Sequence, residues 1–211
     1  MNLAAIAIAS ALTFAATAGI VALADTAEPV VSLSPTVAER YDAQQRLIFP
    51  SEYRMWRFLS SGVDMSYSPM AMGGGHFFDN VFVDPKAYDD FFKTGHWPDG
   101  TVLITEVRGG ETKGSITQKG VFQSGQPMGW EVHVKDSARF GGDGWGFFGF
   151  EQPTTAALIP ATAACYACHR EHAAVDTTFV QFYPTLLPIA EKAGTISGAY
   201  AKELQSLQHA H

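Results

Sequence analysis

The sequence predicts an α+β domain, an antiparallel β-sheet with packed helices, and three observations carry that expectation. Short runs rich in β-branched and aromatic residues recur between Phe77 and Phe150. Gly-, Pro- and Asp-containing turns separate them at intervals suited to hairpin-connected strands. Helix start and stop signals are confined to the two flanks and to one insertion after the first strand.

In order along the chain, Ser34-Pro35 reads as an N-cap and first-turn proline. Val37, Tyr41, Gln44 and Ile48 follow at helical spacing until Pro50 ends the run. Ser51 is placed to cap a second short helix over Glu52 to Leu59, and Met70 to Gly75 reads as loop. Strand character marks Phe77 to Val83, Thr101 to Arg108, Gly120 to Gln123, Trp130 to Lys135 and Trp145 to Phe150. Between the first two lies a helix with Asp84 as N-cap, Pro85 at its first position and Gly95 closing it. A helical stretch from Phe179 to Ala190 completes the domain.

The first 24 residues read as a signal peptide, apolar from Leu3 to Ala24 with Ala22-Leu23-Ala24 as an A-x-A cleavage site. No Lys or Arg precedes the apolar run, so an uncleaved anchor is the alternative. Either way the body of the protein is expected in the periplasm. Residues 25–45 form an N-terminal segment with the start of the first helix, 46–194 the domain and 195–211 a flexible tail. The net charge of −7 argues against nucleic acid as a partner. The glycines at 73–75 and 141–149 follow no strand-to-helix pattern and read as turns rather than phosphate cradles.

Cys165-Tyr166-Ala167-Cys168-His169 holds the chain's only 2 cysteines. C-x-x-C-H is the attachment signature of haem c. The two thiols add across the haem vinyl groups, and the adjacent histidine supplies the proximal iron ligand. With no further cysteine pair, a zinc site is incomplete, and a thioredoxin-type motif belongs early in a βαβ unit. One covalent haem near the C-terminus is expected.

No methionine follows Met128, so no downstream methionine can take the sixth coordination position. His172 lies too near His169 in sequence to reach the opposite haem face, and His209 and His211 fall in the tail. Met55, Met65, Met70, Met72, Met128, His76, His96 and His133 each read as core or surface before ligand. The expected state is five-coordinate iron with an open distal site.

The run Phe49-Pro50-Ser51-Glu52-Tyr53-Arg54-Met55-Trp56 opens an ordered set of motifs. Val81 to Asp84, Tyr88, Lys93-Thr94-Gly95, Trp97 to Thr101, Gly129 to Ser137, Arg139-Phe140, Trp145, Phe147 and Phe179 to Pro184 continue it. With C-x-x-C-H, the set resembles the cytochrome P-460 and cytochrome c′-beta group of periplasmic monohaem cytochromes, whose opening reads P-x-x-Y-R-x-W. The resemblance runs from about Arg46 to Ala190 and implies a sheet over haem c, a homodimer, and a small gaseous or nitrogenous ligand. Its members either oxidise hydroxylamine, passing electrons to a periplasmic cytochrome acceptor, or bind nitric oxide and similar gases.

Two positions separate those activities. Hydroxylamine-oxidising members join a strand lysine covalently to the haem; an ungapped reading puts Thr105 there, with no amine to form the link. The nearest lysines, Lys93 and Lys113, would need a register shift that reverses the strand's faces. Glu131, by resemblance, holds the place of a distal carboxylate that assists proton transfer. Alternation sets Trp130, Val132 and Val134 on one strand face and Glu131, His133 and Lys135 on the other. Phe77, Phe78 and Phe82 are candidates for the apolar distal cap of the gas binders, with Phe78 assigned to the pocket beside Thr105 and Glu131. A gas-binding haem protein, a hydroxylamine-oxidising enzyme and a plain electron carrier all stay open.

Overall fold

The computed structural model describes residues 40–65 and 75–209. The expected signal peptide, the Ser34-Pro35 cap and most of the Met70 to Gly75 loop lie outside the described residues. A short ribbon pairs β1 (Leu47–Ile48) with β7 (Thr155–Ala156). The main sheet is a five-stranded antiparallel meander of β2 (Arg57–Val63), β3 (His76–Val83), β4 (Val102–Glu111), β5 (Phe122–Lys135) and β6 (Trp145–Phe150). With α1 (Pro85–Thr94), α2 (Ala164–His172), α3 (Leu187–Ala193) and α4 (Gly198–His209), the fold is α+β.

Strand alternation sends side chains to two cores. Leu103, Trp145 and Phe147 pack with Phe91 of α1, Tyr166 of α2 and Ala190 of α3. Ile104, Val132, Val134 and Phe148 pack on the other face against Tyr41, Leu47, Phe49 and Tyr53. The helices therefore share one face, and the N-terminal segment covers the other. Each large side chain fully buried this way is worth about 1.5–3 kcal/mol.

Helix α1 forms where its caps place it. The Asp84 carboxylate accepts from the Ala87 N–H (2.9 Å) and also from the Val102 N–H (2.9 Å), tying the helix start to β4. Gly95 closes it at φ 72°, donating its N–H to Phe91 O (2.7 Å).

Several expected elements differ. The helical stretch expected from Phe179 to Ala190 is a 3₁₀ turn, Val180–Phe182, followed after a break by α3. The described part of the first expected helix, from Arg40 on, is a turn leading into β1. The Asp42 carboxylate accepts from the N–H groups of Gln44 (2.9 Å) and Arg46 (2.8 Å), which competes with helix and bends the chain back so that Tyr41 bridges Leu47. The helix expected over Glu52 to Leu59 is one 3₁₀ turn, Tyr53–Met55, and then β2, because pairing with β3 outweighs local preference. Phe122 and Gln123 of the short strand expected at 120–123, and the whole of the one expected at 130–135, belong to one strand, β5. Register shifts opposite Arg108 accommodate Pro127 and Gly125 (φ 57°), so residues that read as breakers are carried as bulges.

The segment 195–211, expected as a flexible tail, carries α4. Ser197 donates its hydroxyl to Ala173 O (2.7 Å) and its N–H to Ala174 O (2.7 Å), while Glu203 pairs with His172 (3.0 Å). These contacts hold α4 to the end of α2.

Candidate functional site

A cavity of about 820 Å³ opens between the helix-bearing face of the sheet and the segment following α2. That size lies within the usual range for cofactor sites. Its sheet wall is Val81, Leu103, Thr105, Val107, Glu131 and His133, and its opposite wall includes His169, Phe179 and Tyr183. Register fixes the sheet wall: Thr105 stands between Val81 and Glu131, and Leu103 between Val83 and His133.

The geometry of His169 decides what the cavity can hold. Its Nδ1 lies 2.8 Å from the carbonyl oxygen of Thr177. A carbonyl only accepts, so Nδ1 carries the proton and Nε2 keeps its lone pair. Burial lowers the imidazole's pKa, partly opposed by the Thr177 hydrogen bond, which favours the neutral ring a metal requires. Phe147 (4.8 Å), Phe179 (4.3 Å) and His133 (5.0 Å) surround the ring.

Helix α2 sets Cys165 and Cys168 three residues apart on one side, half-buried and as free thiols, with His169 one residue on. Tyr166 anchors the helix against β6: its hydroxyl accepts from Phe147 N–H (3.0 Å) and donates to Ile159 O (3.2 Å), and its ring stacks on Phe147 at 4.2 Å. The Gln181 side chain clasps the turn beyond, accepting from Ala174 N–H (2.9 Å) and donating to His172 O (2.8 Å). Two thiols, a neutral imidazole with its second nitrogen committed, and an adjoining aromatic-lined cavity make a donor set that fits haem c.

A family model described as cytochrome P460 matches residues 50–180. The chain belongs to the cytochrome P460 family. Membership implies that this P460 protein binds haem c and works as a haem iron cytochrome. No curated protein shows significant similarity to it.

Thr105 and Glu131 line the cavity together, as cross-strand neighbours. Phe78 does not: it sits on the other sheet face, and the strand's alternation brings Phe77 and Asp79 to the cavity in its place. No lysine or arginine is among the described residues lining the cavity. Lys93 instead pairs with Asp90 on α1 (3.0 Å). Glu131 remains accessible through the cavity, yet surrounding protein raises its pKa by desolvation, and the charge of Asp79 adds to the rise. Asp79 itself is raised by burial.

Sequence reasoning missed Asp79 and the place of His133. Asp79 alternates with Phe77 and Val81, and Phe77 was one of the candidates for the distal cap, which was the available signal. Burial holds the His133 imidazole well below its ordinary pKa, and its ring stacks on Phe147 at 4.0 Å. Of the other methionines and histidines, Met65 and His76 reach the cavity, His76 with Nδ1 held by Asp64 (2.6 Å). Met55 and Met128 are exposed.

Proposed function

We propose that this P460-family protein carries one covalent haem c and binds a small gaseous or nitrogenous ligand, of the nitric oxide class, at an open iron position. The observation that carries the reading is His169, which lines the cavity and has its Nδ1 committed to the Thr177 carbonyl, so that Nε2 keeps its lone pair. Bound haem would supply an iron centre that takes small ligands and exchanges electrons. Cys165 and Cys168 would hold it and His169 would ligate it. Phe77, Val81 and Val107 give the cavity an apolar wall that limits water, and Glu131 with Asp79 can hold a proton near a bound ligand. Thr105 offers no amine for a second covalent link.

A second reading, hydroxylamine oxidation, is favoured by the raised pKa of Glu131, which suits a group that accepts and passes on the protons this oxidation releases. It requires an external electron acceptor, for which a periplasmic cytochrome is the proposed partner. Export to the periplasm and homodimer formation belong to the same proposal, supported by the Ala22-Leu23-Ala24 site and the P-460 resemblance.

The test is protein expressed with a haem c maturation system. Intact mass should show one haem per chain, with peptide mapping finding it only on the Cys165–Cys168 peptide. The ferrous form should bind nitric oxide and carbon monoxide. Low-spin iron in both oxidation states with no carbon monoxide binding would overturn the open site and leave an electron carrier. Glu131→Gln should slow any hydroxylamine turnover while leaving nitric oxide affinity nearly unchanged.

A further inference from the structure

The carbonyl that fixes His169 belongs to a strained turn. Val175 to Thr178 close on each other through Thr178 N–H to Val175 O (2.7 Å) and Val175 N–H to Thr178 O (3.3 Å). The two central residues both have positive φ, Asp176 at 46° and Thr177 at 54°, as in a mirror-image two-residue turn. Such turns favour glycine at the second position; a β-branched threonine there is an outlier. Thr177 recovers nothing through its side chain, since its hydroxyl is buried without a hydrogen-bond partner. Such a strained conformation persists only where its surroundings impose it.

The surroundings are specific. The Asp176 carboxylate accepts from the Trp97 backbone N–H (2.8 Å), from His96 Nδ1 (3.0 Å) and from Lys135 Nζ (3.4 Å). Lys135 also donates to Trp97 O (2.8 Å), so carboxylate and lysine hold the same residue, one through its N–H and the other through its carbonyl. One residue beyond the strained pair, Thr178 Oγ1 accepts from Trp97 Nε1 (2.8 Å). Trp97 is itself 2% exposed and packed on Phe91 at 4.3 Å. The turn is thus pinned to the connection between α1 and β4, some eighty residues away in sequence, through the Asp176 carboxylate in the strained pair and through Thr178 just beyond it.

We propose that Asp176 is the positioning residue for the iron ligand: it holds the Asp176–Thr177 turn so that the Thr177 carbonyl accepts the His169 Nδ1 proton. The inference rests on the reading of His169 as the haem ligand. A hydrogen bond from Nδ1–H to a fixed acceptor raises the basicity of Nε2 and fixes the ring's rotation. A stronger iron–histidine bond favours the ferric state and lowers the reduction potential. Asp176 touches neither cofactor nor ligand and acts only through Thr177.

The test uses the haem-loaded protein and two readouts that mere destabilisation does not move: the iron–histidine stretching band of the ferrous five-coordinate form, by resonance Raman, and the reduction potential by spectroelectrochemistry. In Asp176→Ala the band should shift to lower frequency and the potential should rise. Asp176→Asn, which keeps an acceptor but loses the charge that draws Lys135 and His96, should move both in the same direction by less. Thr177→Gly, which relieves the strained φ while keeping the carbonyl, should leave both near wild type. If Asp176→Ala yields no haem-loaded protein, Asp176→Asn and His96→Gln decide by the same two readouts. A haem-loaded Asp176 variant with unchanged band and potential overturns the proposal. A wild-type ferrous protein with no iron–histidine band overturns instead the reading of His169 on which it rests.

Discussion

Glu106 on β4 and Glu131 on β5 stand one residue out of line in the same strand pair, Glu106 opposite Trp130 and Glu131 opposite Thr105, and so face opposite sides of one sheet. Glu106 is 1% exposed and saturated. It pairs with Arg54 and accepts from the Tyr53 hydroxyl, from Arg108 Nε (2.5 Å) and from Asn80 (3.4 Å). Burial alone would raise its pKa, but the hydrogen bonds of Arg108 and Tyr53 and the two guanidinium charges bring it below the ordinary carboxylate range. Glu131 is desolvated too, but its charged neighbour is another carboxylate, and its pKa goes up. The same residue type is thus a structural lock on one face and, on the other, a carboxylate whose pKa burial raises. The difference lies in what the neighbouring strands and the N-terminal segment supply.

The lock also explains the Tyr53-Arg54 pair of the opening motif. Tyr53 donates to Glu106 and accepts from Trp130 Nε1 (3.0 Å), so the segment that closes the second core is fastened by its own polar groups. Asn80 extends the network to Gln123 (2.8 Å) and Ser61 (2.8 Å), joining four strands of the sheet.

The largest contrast is expected on truncation. Glu106→Ala should cost roughly 3–5 kcal/mol in urea denaturation, since it strands Arg108 and the Tyr53 hydroxyl beside a closed core. Glu131→Ala in the same assay should change stability by less than about 1 kcal/mol, because it removes a desolvated charge that no cation pairs. Equal losses would mean the two faces do the same work. Next in size, Tyr53→Phe should cost about 1–3 kcal/mol by leaving Trp130 Nε1–H without its acceptor. A melting temperature equal to wild type would show the lock to be redundant.

The smallest effect has a sign that distinguishes the two carboxylates. The folded-state pKa of Glu106 is lowered, so its contribution is present above the unfolded carboxylate value and is lost as pH falls through the folded one. The folded-state pKa of Glu131 is raised, so wild type loses stability as pH rises from the unfolded value to the folded one. Glu131→Gln should therefore match wild type in acid and exceed it by a modest, constant margin at higher pH. A margin that grows as pH falls would reverse the assignment.

Much of the fold was legible in local chemistry. Asp84-Pro85 and Gly95 bound α1 because caps act within one turn, and β6 lies on the aromatic-rich run Trp145 to Phe150. The apolar spacing before Pro50 was compatible with a helix, but in its described part Asp42 turns the chain back. The helix read from the Ser51 cap gave way because the edge of β3 recruits that segment as a strand. At the site, Cys165, Cys168 and His169 were legible as a contiguous motif, and Glu131 as one face of a strand. Phe78 was assigned to the wrong side: with Phe77 and Phe78 adjacent, choosing between them needs the register of β3 against β4.

By itself the sequence determined the α+β class, the thiol–thiol–imidazole grouping and the common face of Glu131, His133 and Lys135, because caps, motifs and alternation are set by neighbours in the chain. Only the tertiary structure decided which groups stand across from them. It set Asp79 near Glu131, His133 beside His169, and Lys135 and Trp97 around Asp176. Those placements depend on strand register and on a turn held by distant partners, and residue spacing along the chain encodes neither.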